Sequence, residues 1–396
     1  MAVALKTSQA VAELLRTKRH ELGWTLRQVE KRTAEAGELI PFPTLARVEQ
    51  GKVDPGVRRL HILLKLYQVP LHLVSDLVDL EDFAGKLPKS QDAKKLFDEG
   101  VAHWKRGDTS KGIAYLLALQ KQLRESPGDQ AFRQKALVTF AIMAGSLGKY
   151  HLSLDLLEKL FVEPPRQEVL VSALVQAGGC WHRLGAGEVA LAFLERAEKH
   201  LKPEGHAERA WVAHLRASTL ASLGRPKEAL LELRRALAAY RKAKDLYGES
   251  RALALLGRIL ASQGDARGAL EAYKAARLHS ERHGFTRLKT LRMIDESQAL
   301  LALGDCERSL SNLRAALGEA VTDGDRYAEF HAHHGLWKTY LALEQRDQAA
   351  FELGAARHYL RFVDEASEAA DEVRAAEDAG SKRQRRISAK KTSARR

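Results

Sequence analysis

The chain has 396 residues, 45% of them apolar, a formal net charge of +13 and two cysteines. That length and apolar content allow two or three domains with a large core. Cys180 and Cys306 lie far apart with no CxxC spacing, which argues against a disulfide framework or a zinc site and for two buried thiols in a reducing compartment.

The charge is uneven. Residues 1–70 carry 12 Lys/Arg against 7 Asp/Glu, and residues 380–396 carry 8 Lys/Arg and no acid, so the middle is neutral. A basic end region with a basic tail is an electrostatic footprint for nucleic acid. The start, Met1 to Lys6, lacks the apolar core of a signal peptide, and no apolar run approaches a membrane span. The expectation is a cytoplasmic protein with no membrane partner.

The first helix reads from Ser8 to Glu21, with Val11, Leu14 and Leu15 on one face, and Gly23 ends it. Thr25 caps the second helix, which runs to Ala36 and has Val29 as its main buried position. Glu35–Phe42 is a turn. A short third helix of little more than two turns follows, opened by Pro43 and closed by Gly51. Proline suits a first helical turn, where a missing N–H costs nothing. Leu45 and Val48 are expected to face the core, and Thr44 and Arg47 to face away. Asp54-Pro55-Gly56 is a turn signal. Val57, Leu60, Leu63, Leu64 and Tyr67 then make a fourth amphipathic helix, and Pro70 opens a fifth carrying Leu73, Val74 and Leu77. A short helix held between two others is a common way to place side chains in the DNA major groove.

This stretch, residues 8–79, resembles the phage repressor and Cro-type (XRE-like) helix-turn-helix domain. The resemblance rests on Lys18-Arg19-x-x-Leu22-Gly23-x-Thr25, on Leu45-x-x-Val48-Glu49-x-Gly51, and on Pro55 and Leu60. It implies a structural ion pair between Arg19 and Glu49, whose loss would strand a buried charge. It also implies base contacts by Arg47, Thr44, Pro43 and Phe42, and phosphate contacts by Thr25, Arg27 and Lys52. A guanidinium at Arg47 can bind guanine O6 and N7 together, Thr44 can donate to a base edge or phosphate, and Phe42 and Pro43 can touch only thymine methyls. The sequence departs from the family pattern at Leu26, where glutamine is common. Its turn through Ala36–Ile40 is also about five residues longer than usual for such motifs.

Beyond the linker, a glycine-centred turn recurs at Gly107, Gly148, Gly185, Gly224, Gly264 and Gly304, with Glu344-Gln345 as the seventh copy. Successive spacings are 41, 37, 39, 40, 40 and 40 residues, the signature of a solenoid of stacked helical units. Seven residues before each turn stand Gly100, Ala141, Gly178, Ala217, Gly257, Ser297 and Trp337. Five after it stand Gly112, Ser153, Ala190, Ala229, Ala269, Ser309 and Ala349. Twelve after it stand Leu119, Leu160, Ala197, Ala236, Ala276, Ala316 and Ala356. The first two offsets let antiparallel helices approach closely, and the third lets the next pair stack on them. HEAT repeats have a similar period, but the Gly/Ala registration resembles the tetratricopeptide repeat, with helices longer than its usual unit of about 34 residues. A repressor-type head followed by such repeats resembles the peptide-pheromone receptors of Gram-positive bacteria, whose grooves commonly hold peptide backbone with asparagines. This chain has one, Asn312.

The expected fold is all-α. A helix-turn-helix domain (1–79) leads through a linker (80–89) to seven repeats (90–363), a capping helix (364–379) and a basic tail (380–396), disordered by like-charge repulsion. Repeat offsets place Lys135, Gln176, Arg251, Arg258, Asp295, Gln298 and Lys338 toward a groove suited to peptides or protein segments. His331 and His334 share a helix face and could ligate a metal, but no nearby Cys or carboxylate completes a site, and no metal is expected. There is no P-loop, HExxH or GxSxG, and no enzyme or cofactor is expected. The expected function is a sequence-specific transcription regulator binding double-stranded DNA as a homodimer, with a solenoid that dimerises or senses a peptide or protein. The alternative is a non-catalytic adaptor whose head does not read sequence.

Overall fold

The computed structural model describes residues 9–84, 92–105, 109–125, 129–162, 164–360 and 369–376, and among them every regular element is helical. The turn at Gly107, most of the linker, the ends of the capping segment and the basic tail lie outside the described residues. The chain divides into two compact units, Met1–Cys180 and Trp181–Arg396.

The first unit opens with α1 (Gln9–Glu21), α2 (Leu26–Glu35), α3 (Phe42–Glu49), α4 (Gly56–Leu66) and α5 (Leu71–Ala84). Thr25 closes a capping box: its hydroxyl accepts the Gln28 N–H, and its own N–H donates to the Gln28 side chain at 2.7 Å. Val11, Leu15, Val29, Leu45, Val48, Leu63 and Leu64 are buried and form the core. Val57 corrects the sequence reading. It is 88% exposed, because α4 starts only at Gly56 and its first turn precedes the inward stripe of Leu63, Leu64 and Tyr67. Ile40, within the turn, is fully buried. Its N–H donates to Thr33 Oγ1 at 3.1 Å, and the Thr33 hydroxyl donates to the Glu30 carbonyl. Glu38 meets Arg58 at 2.9 Å and Arg59 at 2.8 Å, so the long turn is pinned to α4.

Next come α6 (Ala93–Lys105), α7 (Thr109–Glu125), α8 (Gln130–Ser146), α9 (Tyr150–Val162) and α10 (Gln167–Arg183). α5 packs against α1, α7 and α9. The Asp76 carboxylate accepts the Leu152 N–H at 3.3 Å and faces Lys149 Nζ at 3.5 Å, while the His72 ring stacks on His151 at 5.2 Å.

The second unit continues the helix pairs: α11 (Gly187–Lys199), α12 (His206–Ser222), α13 (Pro226–Ala243), α14 (Leu246–Ser262), α15 (Ala266–Arg282), α16 (Thr286–Ala302), α17 (Cys306–Asp323), α18 (Arg326–Ala342) and α19 (Arg346–Tyr359). Gly148, Gly185, Gly224, Gly264 and Gly304 have φ between 71° and 81°, so each first helix ends in a left-handed residue. Glu344 takes the same conformation at φ 59° without being glycine. Asp265 and Asp305 follow their glycines and cap the next helix, accepting the N–H of Gly268 and Arg308.

The small residues sit where helices cross. Ala190, Ala229 and Ala269, and Ala197, Ala236 and Ala276, are completely buried. Where serine replaces alanine, its hydroxyl is satisfied across the crossing: Ser153 donates to the Ala141 carbonyl at 2.7 Å, and Ser309 to the Ser297 carbonyl at 3.0 Å. Trp337 departs from the pattern and is only partly buried. Cys180 is buried as expected, whereas Cys306, the first residue of α17, is half-exposed. A helical segment at residues 369–376 lays Ala370 and Val373 on Phe330 and Ala356.

Candidate nucleic-acid interface and repeat groove

α3 begins after Pro41, which has no side chain able to cap it. Glu30 on α2 supplies the cap instead, accepting the Phe42 N–H at 3.1 Å. At its other end, Arg19 Nε and Nη2 donate to the two Glu49 oxygens at 2.7 and 2.8 Å, and Nη1 donates to the Trp24 carbonyl at 2.8 Å. Both side chains are buried, and the hydrogen bonds to Glu49 hold the Arg19 guanidinium more firmly protonated. Leu45 and Val48 point into the core, which directs the opposite face outward.

On that outward face, Phe42, Pro43 and Arg47 are exposed and Thr44 is half-buried. Arg27 lies over the Phe42 ring at 5.6 Å, which brings a residue assigned to phosphate against one assigned to bases. Arg47 and Lys52 are exposed and, among the described residues, their side chains make no hydrogen bond or ion pair. Thr25 Oγ1 accepts a helix N–H, so its hydroxyl proton remains for an outside acceptor.

The groove candidates separate into two sets. In the first unit, exposed Lys135 lies over Phe97 at 5.3 Å and borders two shallow hollows of about 380 and 470 Å³. Gln176 is turned into the wall, where its amide donates to the Ala141 carbonyl at 3.3 Å and to Ser153 Oγ at 3.1 Å. The adjoining Cys180 thiol is pushed up to about 11 by burial.

In the second unit, α12 lies beside α14, α14 beside α16 and α16 beside α18. Arg251 stacks over Trp211 at 4.4 Å. Arg258 and Gln298 are exposed, and Asp295 is paired with Arg292 at 2.9 Å. Water reaches Arg258, yet the surrounding protein disfavours its charge and lowers its pKa, and likewise raises that of Asp295. The first helices of successive pairs adjoin along this row, the arrangement that lines the concave face of a helical-repeat solenoid. Lys338 instead ties its helix to the segment beyond, meeting both Glu372 oxygens at 3.0 Å.

Several groove residues were not singled out from sequence. Tyr247, Arg287 and Tyr327 each stand 17 residues before a repeat turn, and that shared offset is the signal that marks them. Arg287 lies over Tyr327 at 5.9 Å and donates to Asp325 at 2.6 Å. Among the described residues the buried His214 Nδ1 and Tyr240 hydroxyl have no hydrogen-bond partner, and the two rings meet edge-on at 6.1 Å. The histidine cluster turns out to have carboxylate neighbours from later helices: His333 meets Glu352 at 2.6 Å and His334 meets Glu372 at 2.7 Å. Among the described residues no group of three or more His, Cys, Asp or Glu is placed to hold a metal ion, and no helix is long and apolar enough to cross a membrane.

No protein-family model matches the sequence, and no curated protein matches it. Solved structures do resemble it. The apo form of RapI is similar at TM-score 0.55 and 13% identity, over 68% of this chain and 98% of that one. A Rap protein complexed with Competence and Sporulation Factor is similar at TM-score 0.53 and 14% identity, over 96% and 98%. A tetratricopeptide repeat protein from Parabacteroides merdae ATCC 43184 is similar at TM-score 0.50 and 14% identity, over 72% and 98%. These likenesses show the fold: an all-α solenoid of tetratricopeptide-like helix pairs.

Proposed function

We propose that the protein is a sequence-specific DNA-binding transcription regulator whose repeats receive a peptide or protein partner. The observation that carries this reading is the outward face of α3. Phe42, Thr44 and Arg47 point away from a core held by Leu45, Val48 and the Arg19–Glu49 pair, and Arg47 makes no hydrogen bond or ion pair among the described residues. Arg27, Lys52 and the Thr25 hydroxyl flank that face with phosphate-binding chemistry. One short helix has a small footprint, so the working form is a homodimer on a two-fold operator. The concave row in the second unit supplies a receptor surface, and the Rap protein captured with Competence and Sporulation Factor shares this fold.

The test is selection of bound fragments from the native genome, with Arg47→Ala as control. A common motif that vanishes in the variant supports the reading. Binding that is salt-sensitive but indifferent to Arg47→Ala overturns it in favour of an adaptor with a non-reading head.

A further inference from the structure

The concave face of the second unit has a marked charge and aromatic character. Arg251, Arg258, Arg287 and Arg292 face it, against the carboxylates of Asp295 and Asp325. Those two acids are already engaged by Arg292 and Arg287. Among the described residues Arg251 and Arg258 make no side-chain hydrogen bond or ion pair, and the Asp295 charge near Arg258 is shared with Arg292. Arg251 has an aromatic support in Trp211, which fixes its plane and leaves its N–H edge free to act. Tyr247 and Tyr327 add exposed rings along the same row.

From these observations we infer that the concave face of the second unit binds an acidic peptide, with Arg251 and Arg258 receiving its carboxylates and the exposed rings of Tyr247 and Tyr327 covering its apolar atoms. The inference rests on the reading of the repeats as a partner-binding surface and specifies the partner's charge. Guanidinium forks match carboxylates in a two-hydrogen-bond geometry. Their pKa values are lowered by the crowding around them, so a carboxylate arriving there relieves an existing strain on the charged form. Extent favours a chain over a small anion. The four neighbouring first helices, spaced about 10 Å apart, present a row of about 30 Å, which an extended segment of about nine residues spans. A nucleic-acid strand fits less well. The best aromatic face, that of Trp211, is already covered by Arg251 and so is closed to base stacking.

The experiment uses immobilised full-length protein and a randomised library of nine-residue peptides, with the retained pool read by mass spectrometry. The expected result is enrichment of Asp and Glu over the input, lost in Arg258→Gln. Arg258 is exposed and makes no hydrogen bond or ion pair among the described residues, so its replacement should leave folding intact, which circular dichroism checks. An enriched acidic peptide, resynthesised with a fluorophore, should bind about tenfold more weakly to Arg251→Gln and to Arg258→Gln, and more weakly in high salt. Retention of neutral or basic peptides overturns the inference while leaving the partner-binding reading standing. Retention of no peptide overturns both. Displacement of the acidic peptide by an equal concentration of oligo-dT overturns it in favour of a nucleic-acid groove.

Discussion

Removing the Glu49 carboxylate while leaving Arg19 in place tests whether α3 is held by an ion pair or by apolar packing alone. Glu49→Ala strands a guanidinium that now makes two hydrogen bonds to Glu49 of 2.7 and 2.8 Å and a third to the Trp24 carbonyl. Breaking one side of a buried pair costs about 3–5 kcal/mol. The side chains retain 11% and 7% exposure, which allows some rehydration and points to the lower end, about 3 kcal/mol. In a unit of this size, that corresponds to a fall of about 6–12 °C in Tm. Replacing both partners with apolar residues, Arg19→Met with Glu49→Leu, removes the stranded charge and should recover all but about 1 kcal/mol, the remainder reflecting the bare Trp24 carbonyl. Differential scanning calorimetry gives the size of the effect, and hydrogen exchange at the amides of α1 and α3 localises it. A single-mutant loss below about 1 kcal/mol, or a double mutant as damaged as the single, would refute the reasoning.

Acid should weaken the second unit. His182 and His331 are lowered to about 4 by burial, so between about 6.5 and 4 the unfolded chain holds protons that the folded one does not. Stability therefore falls as pH drops through that window, by about 1–2 kcal/mol per histidine between pH 7 and 5. Urea midpoints at the two pH values should move closer together in His331→Phe, and an unchanged gap would count against the assignment. At a helix crossing, Ala269→Leu should cost about 1–3 kcal/mol through overpacking, read from the thermal midpoint, whereas a neutral result would mean that the repeats tolerate wider spacing. Asp305→Ala removes the cap on α17 and should cost about 1 kcal/mol, with hydrogen exchange increased in its first turn.

The repeat was readable because its turn requires a backbone conformation that glycine supplies cheaply, and the same glycines put small residues at a constant distance on either side. That logic weakens where another residue accepts the strain. Glu344 does so in the last turn, and Lys244, at φ 55°, does so between α13 and α14 with no glycine to announce it. On α3, the three-residue spacing separated Leu45 and Val48 from Thr44 and Arg47 correctly. What the pattern could not carry was support from elsewhere in the chain. The Glu30 cap on Phe42 comes from a different helix, and the carboxylates on His333 and His334 come from 19 and 38 residues downstream. The burial of Ile40 carried no sequence signal, because a turn has no periodicity from which burial can be inferred.

The anchoring of α5 has a practical corollary for anyone building chimeras. Asp76 takes its hydrogen bond from Leu152 and faces Lys149, and His72 rests on His151, all of them in the second helix pair. A graft that carried the first five helices alone would leave a carboxylate and a ring stripped of their counterparts and the α7- and α9-facing side of α5 bare. Gln176 and Cys180 of α10 bond back to Ser153, so the workable piece is the whole first compact unit, in which the five N-terminal helices, the next two helix pairs and the bulk of α10 travel as one cartridge.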